Sequence, residues 1–215
     1  MFALPKNRYK IQTVSHFFLF INKPIIPMKI LVLDNYDSFT YNLVHLLKDL
    51  GQEPTVIRND KITVEEVANY DKILLSPGPG VPVEAGIMPE LLQKYAATKS
   101  ILGVCLGHQA IGEAFGGSIS NMEDVFHGVA TDITILDREE KLFDQIPDKI
   151  ATCRYHSWIV NRHDLPECLQ ITATDEFGNI MALRHKEYDV RGVQFHPESY
   201  ITEFGKQMIA NWLIN

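Results

Sequence analysis

The stretch 100–117, Ser-Ile-Leu-Gly-Val-Cys-Leu-Gly-His-Gln-Ala-Ile-Gly-Glu-Ala-Phe-Gly-Gly, constrains the fold of this chain more than any other. Ile101, Leu102 and Val104 form a short apolar run of buried-strand type. Ala110, Ile111, Ala114 and Phe115 then recur at helical spacing, and Gly116-Gly117 supplies a stop. Between strand and helix stands Cys105, flanked by Gly103 and Gly107. A thiol at such a turn has the mechanics of a nucleophile elbow. The glycines let the backbone pass close by, and the turn lifts the side chain clear of the sheet. The helix that follows aims free N–H groups and its positive dipole end at the sulfur, which favours thiolate. A buried cysteine in a Gly-containing turn fits the same pattern, since cysteine is among the most buried residue types.

The same strand-then-helix order leads up to the elbow. Lys29-Ile30-Leu31-Val32-Leu33 reads as a buried strand, and Asp34-Asn35-Tyr36-Asp37-Ser38 as a turn with Asp37 or Ser38 as N-cap. Leu43, Val44, Leu46, Leu47 and Leu50 mark one helical face, closed by Gly51. Pro54 to Arg58 is a second strand, and Thr63-Val64-Glu65-Glu66 fits a capping box. Lys72-Ile73-Leu74-Leu75 is a third strand, ending in Ser76-Pro77-Gly78-Pro79-Gly80, and a helix around 90–97 follows. Strands alternating with helices predict a parallel sheet covered on both faces, with ligands at the carboxyl ends of the strands. The Gly78–Gly80 loop and Cys105 both fall at such ends.

The second half is β-rich: 129–136, 150–155, 169–174, 180–183 and 190–195 read as strands, with 175–179 as a hairpin turn. These are expected to be antiparallel additions to the parallel core. A helix over about 203–214 follows. No internal repeat or interdomain linker is visible, so residues 28–215 read as one domain.

Residues 1–27 differ from the rest. They carry Lys6, Arg8, Lys10 and Lys23 and no acidic residue; without them the net charge moves from −7 to −11. The apolar patch 17–21 has no small-residue cleavage site after it, which argues against a secretory signal, and serine is scarce for an organelle-targeting peptide. The expectation is an extension outside the fold. The acidic balance argues against a nucleic-acid partner. No apolar run approaches the ~20 residues of a membrane span. Three cysteines, Cys105, Cys153 and Cys168, without metal-ligand spacing suit a reducing, cytoplasmic compartment and no metal.

A thiol nucleophile needs a base, and the base an orienting group. Of eight histidines, His45 lies between Val44 and Leu46 and reads as packing, and His163 and His185 as exposed. His196 follows Gly192-Val193-Gln194-Phe195 at a strand end and continues Pro197-Glu198, close enough for Glu198 to orient the ring. Alone, His-Pro-Glu also fits a strand-terminating turn with a surface salt bridge.

Taken together, Gly103-Val104-Cys105-Leu106-Gly107-His108-Gln109 and Gly192-Val193-Gln194-Phe195-His196-Pro197-Glu198 resemble the class I glutamine amidotransferases. Asp34 to Thr40, Ser76 to Gly80, Tyr155-His156-Ser157 and the tail 198–203 resemble one branch, the amidotransferase components of anthranilate synthase and aminodeoxychorismate synthase. The resemblance covers residues 28–215. It implies an α/β, flavodoxin-like fold: a parallel central sheet with helices on both faces and antiparallel strands added in the C-terminal half. It implies Cys105 as nucleophile, His196 as base and acid, Glu198 as its orienting group, and backbone N–H groups of Leu106 and Gly80 as oxyanion hole. By the same pattern Gly78, Pro79, Gly80, Leu106, Gln109, Ser157 and Trp158 contact L-glutamine. Ammonia would pass to a separate chorismate-binding synthase subunit, since the sequence carries no such module. No cofactor is implied on this chain; Mg2+ would belong to the partner. Trp158 stands where these proteins more often have a smaller apolar residue, and Val129 where Lys is common. His127 and His156 receive no role, and Cys153 and Cys168 read as inert core residues. Competing readings are a non-catalytic regulatory module on the same fold and a γ-glutamyl peptidase.

Overall fold

The computed structural model describes residues 28–122 and 127–215; the predicted extension 1–27 lies outside them. In chain order the strands are β1 (Ile30–Asp34), β2 (Thr55–Arg58), β3 (Lys72–Leu75), β4 (Ser100–Val104), β5 (Ile119–Asn121), β6 (Val129–Ile135), β7 (Lys149–Arg154), β8 (Trp158–Val160), β9 (Leu169–Asp175), β10 (Ile180–His185) and β11 (Val190–Val193). The α-helices are α1 (Thr40–Asp49), α2 (Met88–Tyr95), α3 (Leu106–Ala114) and α4 (Gly205–Ile214).

Nine strands form one sheet in the order β2-β1-β3-β4-β11-β10-β9-β6-β7; β5 and β8 pair separately. Pairings from β2 to β11 are parallel, and those from β11 to β7 antiparallel. The antiparallel additions are therefore present, with one correction. β11 is a parallel strand bonded to β4, in the register Val193↔Val104. Its sequence carries the apolar signal of a buried strand but no information on its neighbour. β5 and β8, three residues each, are too short to give a periodic signal.

The two faces of the sheet hold two cores. α1 and α4 cover one, through Leu43, Val44, Leu47, Ile209 and Trp212; α2 and α3 cover the other, through Leu91, Leu92, Ala110 and Ile111. The predicted N-cap of α1 is corrected: Phe39 occupies it, and the Asp37 carboxylate accepts from the Phe39 N–H just before the helix. The capping box forms, with Glu66 accepting from the Thr63 N–H at 2.8 Å, but it opens a 3-10 helix (Glu65–Asn69). The Asp175 carboxylate accepts from the N–H groups of Phe177 and Asn179, which closes the β9–β10 hairpin where the turn residues predict it.

Candidate active site

Cys105 lies between β4 and α3 at φ +52, ψ −99, a conformation rare for a residue with a side chain. The surrounding glycines make that turn possible. A Cβ on Gly103 would meet Gly107 C and O at 2.5 Å, and one on Gly107 would meet Leu75 O at 2.6 Å. The start of α3 therefore rests directly on β3 and β4, and nothing larger than hydrogen fits at either contact. The thiol is only 6% exposed, where an elbow predicts an accessible one. Gln194, from a segment distant in sequence, places its Nε2 3.7 Å from the sulfur.

Because β11 lies beside β4, its C-terminal extension delivers His196 to the cysteine. His196 Nδ1 and Glu198 Oε1 are 2.6 Å apart, and both side chains are buried, so the pair is not the surface salt bridge that His-Pro-Glu alone would suggest. Burial pushes the imidazole pKa down, but Cys105 and the Glu198 carboxylate push it further up, to about 10. Nε2, the remaining ring nitrogen, is buried without a hydrogen bond of ordinary geometry, although its interaction with the Cys105 thiol is close enough to contribute to that rise. Contacts of this kind are commonly loose before substrate arrives. Phe39 and Tyr155 present edges to the imidazole, with centroids 5.5 and 5.3 Å away.

The backbone of the histidine is clamped as well. Thr202 Oγ1 donates to the His196 carbonyl at 2.6 Å and accepts from the Cys153 N–H at 3.0 Å, while the His196 N–H donates to the Cys153 carbonyl. Glu203 makes a similar double contact with Ala151. The tail 198–203 is thus a strap that ties the His196–Glu198 turn to β7. Thr202 carries no signal in the sequence beyond lying in that motif.

The Ser76–Gly80 loop is held against the elbow from the other side. Asn35 donates its side-chain amide to the Ser76 carbonyl and its backbone N–H to Ser76 Oγ. A Cβ on Gly78 would lie 2.6 Å from Leu106 Cδ2, which shows how closely loop and elbow pack. Gly80 has φ +73 and is exposed; Leu106 is the first residue of α3, so its N–H has no acceptor within the helix. A cleft of about 440 Å³ opens here, lined by Asn35, Tyr36, Asn59, Pro79, Glu84 and Leu106.

Gln109 is buried on the first turn of α3 and donates Nε2 to the Trp158 carbonyl at 2.9 Å. Its Oε1 has no donor among the described residues, so it is the pole available to a ligand. Trp158 enters this network through its backbone, and the half-buried Ser157 stands beside it. Several expectations for other residues are corrected. His45 is exposed on α1, whose apolar stripe turns away from it. His185 is buried, stacked on Tyr188 at 4.1 Å and against Phe115. His156, to which the sequence gives no role, is buried with Arg154. Cys153 is buried as expected, but Cys168 is only half-buried.

A strained cysteine at a helix N-terminus, a buried histidine–carboxylate pair at the end of the next strand and a glycine loop with free N–H groups define an acyl-transfer site of the cysteine–histidine type. Residues 31–215 match the model of the family "Glutamine amidotransferase class-I", and the chain belongs to that family. Among its relatives are the aminodeoxychorismate/anthranilate synthase component 2 of Bacillus subtilis, 46% identical over 187 residues, covering 86% of this chain and 95% of the relative. The anthranilate synthase component 2 of Thermus thermophilus is 48% identical over 191 residues, covering 86% and 92%. The aminodeoxychorismate synthase component 2 of Escherichia coli is 44% identical over 186 residues, covering 86% and 98%. The crystal structure of a putative GMP synthase subunit from Thermoplasma acidophilum shares the fold, with a TM-score of 0.79, 26% identity and coverage of 87% and 93%. Among the described residues, no helix is long and apolar enough to cross a membrane.

Proposed function

We propose that this chain hydrolyses L-glutamine to glutamate and passes the ammonia to a separate chorismate-using synthase subunit. The observation that carries the reading is the meeting of Cys105 with the buried His196–Glu198 pair at the adjoining ends of β4 and β11. The Cys105 thiol passes its proton to His196 Nε2, and the sulfur attacks the side-chain amide carbon of glutamine. His196, whose protonated form Cys105 and Glu198 favour, gives that proton to the leaving nitrogen, so ammonia departs and a glutamyl thioester remains. Water, deprotonated by the neutral ring, then attacks the thioester; glutamate leaves and the thiol recovers its proton. The Leu106 and Gly80 N–H groups hold the oxyanion at both steps. A donor of this kind is worth ~2.7–4 kcal/mol by removal. Gln109 Oε1 accepts from the glutamine α-ammonium, and Gly78, Pro79 and the backbone at 157 and 158 complete the pocket.

The chorismate-using partner is inferred from the relatives' names, which include both anthranilate and aminodeoxychorismate synthase components. The Bacillus subtilis relative carries both in one name, which favours a small subunit serving two synthases as the second reading. The test uses the two-chain complex supplied with chorismate and either glutamine or ammonium. Cys105→Ala should abolish glutamine-dependent product and leave ammonium-dependent product near the wild-type rate. Loss of both with assembly intact would overturn the division of labour.

A further inference from the structure

Gln194 precedes His196 by two residues and is wholly buried, yet it is a polar side chain with no part in the triad. Its Nε2 lies 3.7 Å from Cys105 Sγ, and its Oε1 accepts from Gln109 Nε2 at 3.3 Å. The backbone on either side is fixed. The Gln194 N–H donates to the Met181 carbonyl, and the Cys105 N–H to the Val193 carbonyl. The amide is therefore presented to the sulfur by two neighbouring strands.

Two groups fix the direction of the bonds in this region: the Arg154 guanidinium, which can only donate, and the Trp158 carbonyl, which can only accept. Arg154 Nε donates to His156 Nε2 at 3.0 Å, so that nitrogen is the unprotonated one. Nδ1 then carries the proton and donates to the Trp158 carbonyl at 3.0 Å. A carbonyl only accepts, so the Gln109 group facing it is the NH2, which donates there at 2.9 Å and turns its second proton to Gln194 Oε1. Gln194 is left with its own NH2 toward Cys105. Arg154 is itself anchored by Asp175, at 2.8 Å, with both side chains buried.

The structure assigns Gln194 a positioning role: it is the last member of a buried hydrogen-bond relay of fixed polarity that presents an N–H donor to the Cys105 sulfur. The assignment rests on the glutaminase reading above. A donor aimed at sulfur is worth more once the sulfur is charged, so it lowers the energy of the thiolate and holds it in one rotamer. The same relay points Gln109 Oε1 outward, so the head-group contact and the nucleophile are set by one network.

The test is alkylation of the full-length protein by iodoacetamide, followed at Cys105 by peptide mass spectrometry between about pH 5 and 9. Gln194→Met keeps the volume and removes the donor. Its labelling profile should move to higher pH by about one unit, with roughly a tenfold slower reaction at neutral pH. Gln194→Glu keeps the shape and sets a carboxylate against the sulfur, and should move the profile further the same way. Unchanged profiles in either folded variant would overturn the assignment, and so would failure of both to fold, because a positioning role requires a native scaffold. Wild-type protein in which Cys105 labels no faster than Cys153 or Cys168 would instead sink the glutaminase reading itself.

Discussion

Gly103→Ala tests whether the elbow is as tightly seated as the contacts indicate. The added Cβ would stand 2.5 Å from Gly107 C and O and 2.8 Å from His108 N, where ordinary contact begins at 3.4 Å. All three neighbours are backbone, so no side chain can swing aside. β4 is hydrogen-bonded to β3 and β11 and cannot retreat sideways. Gly107 also rests on Leu75 O, in the strand beside β4. The start of α3 must therefore lift by about 0.9 Å, carrying Cys105 and the Leu106 N–H with it. Overpacking of this kind costs ~1–3 kcal/mol of stability. A displacement near 1 Å at a reacting centre costs ~100-fold in rate. The assay is glutamine-dependent product formation by the two-chain complex, with the ammonium-dependent rate and a thermal unfolding curve measured beside it. Glutamine-dependent kcat/KM should fall about 100-fold, with the ammonium rate kept. Gly116→Ala is the control. It lies at the far end of α3 at φ +102 with nothing within 4 Å of its Cβ, so it should lose stability through backbone strain but keep glutaminase activity. A Gly103→Ala complex with kcat/KM within about twofold of wild type would refute the argument.

Two further outcomes follow from the buried polar groups. Burial holds His108 at about 4, and burial followed by the Arg154 charge holds His156 at about 3, against an ordinary 6.5. The unfolded chain takes up these protons below about pH 6.5 while the folded one does not, so stability falls as pH falls toward the folded values, by up to ~3 kcal/mol for His108 and ~5 kcal/mol for His156. The melting midpoint of His156→Asn should accordingly drop less steeply between pH 6.5 and 4 than that of wild type; parallel slopes would refute this. Asp175→Ala removes the buried carboxylate that Arg154 donates to, together with the acceptor for the Phe177 and Asn179 N–H groups, and should cost ~3–5 kcal/mol in denaturant unfolding, and Asp175→Asn less. Near-wild-type stability in the alanine variant would show that the ion pair is not what holds that hairpin.

How much of this was legible in the sequence depended on the distance over which each signal acts. Local chemistry read well. The apolar run before Cys105, the glycines around it, the Thr63–Glu66 box and the Asp175 turn each involve residues within a few positions, and each forms. Cys105, His196 and Glu198 were singled out by the same means, from two strand-end motifs that the fold brings to adjoining strand ends. Partnerships across the fold were not legible. Nothing in Val190–Val193 says that it pairs in parallel with β4, because burial on both faces gives the same apolar run whichever neighbour a strand has. His185 sits in a polar segment and is buried because Tyr188 folds back onto it. The relay from Arg154 to Gln194 joins three separated segments, and each of its residues has an ordinary local context. Buried polar side chains are satisfied by whatever the topology brings near, and local patterning does not encode that.

β11 is the last strand in the sequence, yet it occupies an interior place in the sheet, between β4 and β10. Strands β1 to β4 can pair as the chain emerges, since each finds its neighbour through a short crossover. β4 then keeps an open edge until residues 190–193 have been made. A nascent chain thus holds Cys105 long before it holds His196, and the two meet only when β11 is inserted. Insertion closes a long loop and is expected to be the slow step of folding. Until then the exposed flank of β4 is the surface most open to pairing with another molecule.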